Sequence, residues 1–237
     1  MFRTTAAVAL AMALSACSKA PGTDYFPLES GAQWHYQLDY VMPDGKRSAT
    51  LGIRTLGGDQ FNTEDRTLKG MVRRTSDGTD YYIDEREDGF YRIAKRVVVE
   101  TRPKADPEPR LVLPKGKNLR RGFAWTLKTD PYVMHWMPPF AEANASIKPF
   151  DMVYEIAALD DTVETPAGKF ERCIRVEGNG TMVFYADASA GYQEVPITHA
   201  EWYAPGVGLI KVERSEPLDT MIMKGGKVSM QLSRFEL

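Results

Sequence analysis

Turn signals recur along this chain at hairpin intervals, beside runs whose apolar residues alternate with polar ones. Asp44-Gly45, Asp77-Gly78, Asp88-Gly89, Ala167-Gly168, Asn179-Gly180 and Gly225-Gly226 each offer a glycine for the positive φ of a tight connection. Trp34, Tyr36, Leu38 and Tyr40 alternate with Gln33, His35, Gln37 and Asp39. Ala49, Leu51 and Ile53 repeat the pattern, as do Met152, Tyr154 and Ile156, and Val228, Met230 and Leu232. Period two is the signature of a half-buried strand. No long segment has helical period, and the reading gives about 12 to 14 strands. An open twisted sheet of that size curls or splits. The expected fold is mainly β: a single antiparallel meander forming a large curved sheet, half-barrel or incomplete barrel, with few short helices.

In the last strand the alternation changes parity at Ser233-Arg234 before Phe235, which a β-bulge would correct. Two proline-rich stretches break the pattern. Residues 101–118 hold Pro103, Pro107, Pro109 and Pro114 among charges and read as a solvated loop. Residues 129–150 hold Pro131, Pro138, Pro139 and Pro149 around Tyr132, Val133, Met134, Trp136 and Met137, with a helical turn expected near Ala141 to Ser146. Long loops of this kind are usually functional or mobile. Tyr132, Met134, His135, Trp136, Met137 and Phe140 are therefore the candidate ligand or partner surface. They read either as core closing one mouth of the sheet or as a lid over an apolar cavity.

The N-terminus carries one charge, Arg3, then an apolar run from Ala6 to Leu14, then small residues, the layout of a cleaved export signal. The run is too short to span a bilayer. Leu14-Ser15-Ala16-Cys17 resembles the lipobox of bacterial lipoproteins, and the resemblance implies lipidation of Cys17 after removal of residues 1–16. Ser18 in place of aspartate implies, by the same likeness, the outer membrane with the protein facing the periplasm. The expected organisation is a signal peptide over 1–16, a lipidated tether over 17–24 containing Pro21 and Gly22, and an antiparallel β domain over 25–237. A diacyl or triacyl cysteine supplies the two chains that stable anchoring needs.

Without the leader, 221 of the 237 residues remain, with 29 basic and 32 acidic side chains. That balance leaves no basic footprint for nucleic acid. With Cys17 acylated, Cys173 has no disulfide partner in the chain. His35, His135 and His199 sit in unrelated contexts without paired ligand spacing, so no metal and no cofactor is expected. By parity Cys173 falls with Glu171, Arg175 and Glu177, and a Cys-His pair with His135 or His199 is the minor reading beside a packing thiol. Ala188-Ser189-Ala190-Gly191 lacks the first glycine of a nucleophile elbow. Asp84, Glu85, Glu87 and Asp88, like Asp160-Asp161, read as solvated turn edges rather than calcium or glycosidase carboxylates.

Three further segments carry a second likeness: Phe26-Pro27-Leu28 with Gly31, Trp34 and Tyr36; Thr165 to Phe170 with Cys173 and Val176; and Trp202 to Glu213 around Pro205-Gly206-Val207-Gly208. Together they resemble the TapB-like group of bacterial lipoproteins, whose members share a β-rich periplasmic domain of unknown function. The resemblance implies no catalytic residues. Physically, the segments read as architecture: two tight hairpins, and Gly31 relieving crowding beside Trp34. The expected function is a non-enzymatic binding or scaffolding module of the cell envelope, held to the membrane by its acyl anchor and meeting an envelope protein. The alternative is a carrier or sensor of a hydrophobic ligand, a lipid or acyl chain, in the concave sheet.

Overall fold

The computed structural model describes residues 24–63, 66–138, 148–187 and 191–237. Cys17, the leader, the tether before Asp24, Phe140 and the turn expected at Ala141 to Ser146 lie outside the described residues. Among the described residues there are thirteen strands: β1 (Gln33–Met42), β2 (Gly45–Asn62), β3 (Thr67–Thr75), β4 (Asp80–Glu85), β5 (Gly89–Arg96), β6 (Lys104–Pro114) and β7 (Ala124–Thr129). They continue as β8 (His135–Trp136), β9 (Phe150–Thr165), β10 (Gly168–Asp187), β11 (Gly191–Ala204), β12 (Gly208–Asp219) and β13 (Met223–Glu236). The one helical element among the described residues is a 3-10 turn at Gly116–Asn118.

Twelve strands form one antiparallel sheet in the order β6-β5-β4-β3-β2-β1-β13-β12-β11-β10-β9-β7, and β8 adds to β13. The first strand thus pairs with the last, and hairpins run outward from that junction on both sides. The sheet curls into a nearly closed barrel whose end strands, β6 and β7, approach without a ladder between them. This seam is the one unsealed edge of the barrel.

Side-chain alternation divides the sheet into two faces. In β12, Ile210, Val212, Arg214, Glu216 and Leu218 are buried, and the residues between them are not. Ladder partners carry this parity across the sheet, so Val228, Arg214, His199, Gly178, Tyr154 and Trp125 form one inward row. The three segments that carry the TapB-like resemblance meet at one end of the interior. Trp34 donates its indole N–H to the Val207 carbonyl at 2.7 Å, and the Tyr36 hydroxyl donates to the Leu209 carbonyl at 2.9 Å. The Ala167 amide bonds the Leu232 carbonyl at 3.0 Å, and Cys173 packs in the same cluster. The expected bulge is present: His35 pairs with Arg234 but Tyr36 with Leu232, leaving Ser233 as the extra residue.

Several local expectations are corrected. Residues 101–118 are largely strand β6. Pro107 and Pro109 are accommodated because β6 is an edge strand and needs ladder donors on one side only. Asn179-Gly180 and Gly225-Gly226 mark no turns and lie inside β10 and β13. They are glycines because neighbours approach too closely for a side chain: a Cβ on Gly180 would lie 2.8 Å from the Asp151 carbonyl oxygen, and one on Gly226 2.4 Å from that of Val41. Cys173 is fully buried together with Ile174, because Arg172 takes a left-handed φ of 56° and resets the alternation. Gly31 relieves no crowding; its Cβ would meet nothing within 4 Å, and its φ of 93° is what demands glycine.

Candidate functional site

The segment after β7 closes one end of the barrel, and it is held by a buried acid. Glu216 is fully buried. Its Oε2 accepts the backbone N–H groups of Val133 and Met134 at 2.8 and 2.9 Å, and its Oε1 accepts that of Tyr132 at 3.2 Å. Arg214 Nε donates to Oε1 at 2.5 Å, and both side chains of this pair have no exposure. A buried ion pair of this kind is tolerable because the carboxylate's remaining lone pairs are filled by amides. The Tyr132 ring lies over the Arg214 guanidinium at 3.9 Å, so the cation is covered from the solvent side by an aromatic face.

A chain of polar contacts leads inward from there. The Tyr132 hydroxyl is 3.2 Å from His199 Nδ1, His199 Nε2 is 2.9 Å from Glu201 Oε1, and the Tyr203 hydroxyl donates to Glu201 Oε2 at 2.5 Å. Tyr154 meets the His199 ring edge to face at 5.8 Å and stacks on Trp125 at 5.7 Å. Gly178, between His199 and Tyr154 on the ladder, makes room for this: a Cβ there would sit 2.8 Å from the Tyr154 ring. Burial pushes the Glu201 carboxyl up, but the hydrogen bonds from His199 and Tyr203 and the charge of Arg214 outweigh it. Its net pKa lies below the ordinary carboxylate value. Burial raises the hydroxyls of Tyr154 and Tyr203, so both stay protonated donors.

Of the candidate surface residues, Tyr132 is 54% exposed, while Met134, His135, Trp136 and Met137 are half-buried. Met134 and Trp136 pack on the cluster of Phe150, Met152, Met182 and Leu218. The floor beneath Tyr132 is the Arg214–Glu216 pair rather than an apolar cavity, and three amide bonds fix the segment onto it. His135 pairs in register with Lys224, away from His199. Cys173 belongs to a different cluster, with Trp34, Val163 and Val207, and burial pushes its thiol up to about 11. The Cys-His pairing weighed from the sequence is therefore not formed. Arg214, Glu216, Glu201 and Tyr203 went unread as a site, although the signal was available in the parity of the first two with Ile210, Val212 and Leu218 on β12 and of the last two with Val195 and Ile197 on β11.

The outward face carries the larger concavity. A groove of about 690 Å³ crosses β10, β11, β12, β13 and β1. One row of it is Glu177, Ala200, Glu213, Ser229 and Asp39, and the next is Asn179, Thr198, Ser215, Lys227 and Val41, each residue on the ladder partner of its neighbour. Ala200 and Ser229 in the first row and Thr198 and Ser215 in the second are the small residues of the depression. Five strands at about 4.8 Å spacing give it a length of roughly 20 Å. Its carboxylates are engaged along their own strands: Glu213 with Lys211 at 2.7 Å, Glu177 with Arg175, and Asp39 with Gln37 at 3.1 Å and, on the next strand, Ser48 at 2.7 Å. Lys227 has no ion-pair partner among the described residues and stands as the groove's free cation.

No family model matches the chain, and no curated protein matches it. Solved structures give two long, distant likenesses. A candidate lipoprotein from Parabacteroides distasonis is 16% identical, with 91% of this chain and 99% of that chain covered at a TM-score of 0.39. A candidate exported protein with a YmcC-like fold from Bacteroides fragilis is 14% identical, with 90% and 98% covered at a TM-score of 0.38. No helix among the described residues is long and apolar enough to cross a membrane.

Proposed function

We propose that this protein is a lipid-anchored lipoprotein of the TapB-like group, acylated at Cys17 in the outer membrane and facing the periplasm. There it acts as a non-enzymatic module that holds a segment of another envelope protein in its outer groove. The observation that carries this reading is the location of ligand-sized space. Binding pockets usually measure some 300 to 1,000 Å³. The groove on the outward face, at about 690 Å³, falls in that range. The cleft that opens inward at the seam, at about 150 Å³, does not. Aromatic and aliphatic clusters and the Arg214 to Tyr203 network occupy the interior, which weighs against the carrier reading. A length of roughly 20 Å suits about six extended residues. The hydroxyls, Asn179 and Lys227 supply hydrogen bonds for their backbone.

The test is photo-crosslinking in cells from a benzophenone amino acid at Thr198 or Ser215 in the groove and, as control, at Thr126 on β7. A discrete protein adduct from the groove positions, absent from Thr126 and lost on Ala200→Arg, is expected. No adduct from either groove position, or equal adducts from all three, overturns the reading.

A further inference from the structure

The seam between β6 and β7 holds two donor groups, on Arg110 and Trp125, that none of its own residues accepts from. Arg92 and Arg110 face each other across the β5–β6 ladder. Arg92 donates through Nε and Nη2 to the two oxygens of Asp106, at 2.8 and 2.6 Å. Arg110, half-buried, makes no hydrogen bond and no ion pair among the described residues. The cleft it lines, about 150 Å³, is completed by Trp125, Leu127, Tyr154 and Glu201. Trp125 has its Nε1–H buried with no acceptor. Glu201 accepts from neither donor; its two oxygens take their hydrogen bonds from His199 and Tyr203.

Buried donors without acceptors are rare in folded proteins, and a water or ion commonly explains them. A neutral water could satisfy the indole, whereas the Arg110 charge is met only from beyond ion-pair distance, by Asp106 and Asp130. Burial, and then the neighbouring Arg92, hold the Arg110 guanidinium below its ordinary pKa, so an anion beside it relieves both effects. The cleft has room for about five waters' worth of volume, the scale of an acetate or a phosphate. We propose that the seam cleft is a binding site for a small oxyanion, a carboxylate or phosphate group, held by the fork of Arg110 and the indole N–H of Trp125. It is separate from the outer groove and stands or falls independently of it.

The experiment uses the full chain in detergent micelles with its four tryptophan indoles labelled with ¹⁵N. It is titrated with sodium acetate and sodium phosphate against sodium chloride at matched ionic strength. One indole resonance, identified as the one lost in Trp125→Phe, is expected to shift saturably with acetate or phosphate and not with chloride. Arg110→Gln should weaken that binding about tenfold or more, because a charged forked donor is lost. Leu127→Glu, which sets an internal carboxylate in the cleft, should abolish it even if Arg110→Gln does not fold. Absence of a saturable shift with both anions, or binding unchanged in a folded Arg110→Gln or Leu127→Glu chain, overturns the proposal. Hexyl phosphate distinguishes the source. Tighter binding than inorganic phosphate supports a site for the end group of a larger molecule, and equal or weaker binding supports one for a free ion.

Discussion

Arg214 and Glu216 sit two residues apart on one inward face of β12, with no exposure on either side chain, and their contact anchors the segment that closes the barrel. The two partners are unequal. Glu216 also receives three backbone amides, whereas Arg214 has one nitrogen, Nη2, buried without an acceptor. Glu216→Leu strands a buried cation and three donors and should cost about 4 kcal/mol. Arg214→Met leaves a carboxylate still held by amides and should cost about 2 kcal/mol. Urea unfolding of both variants checks the order; an equal or reversed order contradicts the assignment of Glu216 as the anchor.

Gly178 gives the prediction that most directly probes interior packing. Its missing side chain is filled by the Tyr154 ring, with a virtual Cβ 2.8 Å from Cε1. Gly178→Val overpacks this point and should destabilise the fold by about 1 to 3 kcal/mol. The same change should alter the near-ultraviolet dichroism of the Trp125–Tyr154 stack. A variant with wild-type stability and an unchanged aromatic spectrum contradicts the packing described.

Acid should weaken the fold through Asp80. Its side chain is 2% exposed and lies between Arg74, at 2.6 Å, and Arg96. Burial pushes the carboxyl up, but the two guanidinium groups prevail and hold it below the usual 3.8. A carboxyl lowered on folding contributes stability above its unfolded pKa, and loses that contribution as pH falls through the native value. Stability should therefore fall as pH drops below about 4. Asp80→Asn should remove about 2 kcal/mol at pH 7 and flatten that part of the profile. Thermal unfolding across this range measures it, and an unchanged acid slope in Asp80→Asn speaks against the pair.

The outer groove makes no demand on stability. Ala200 and Ser229 face away from the core, so Ala200→Arg and Ser229→Arg should change unfolding free energy by less than about 0.5 kcal/mol. Losses of several kcal/mol in either variant would mean that these positions are packed rather than open.

Much of this architecture was legible because strand alternation is local. Trp34, Tyr36 and Leu38 announce their buried face by spacing alone, and Ser233 announces its bulge by breaking that spacing. Glycines were harder, since one residue type serves opposite purposes. Gly78 makes a turn through its φ of 85°, whereas Gly180 and Gly226 lie flat in strands and admit neighbouring atoms. Prolines misled at β6, because whether a strand can hold Pro107 and Pro109 depends on its being an edge, and edges are set by the whole sheet. The polar interior escaped for a similar reason. His199, Glu201, Arg214 and Glu216 come from two strands and acquire meaning only when the ladder sets them side by side, with Tyr132 arriving from a segment more than sixty residues earlier.

The central claim is that the barrel interior is a packed core and that the proposed envelope-protein segment binds outside it. Native mass spectrometry of the full chain, released gently from detergent and compared with the denatured sample, tests this most directly. The account predicts the same mass in both, that of the covalent chain and at most a small ion. An added mass of several hundred daltons that disappears on denaturation, and persists in Ala200→Arg, would contradict it and establish the interior as a container.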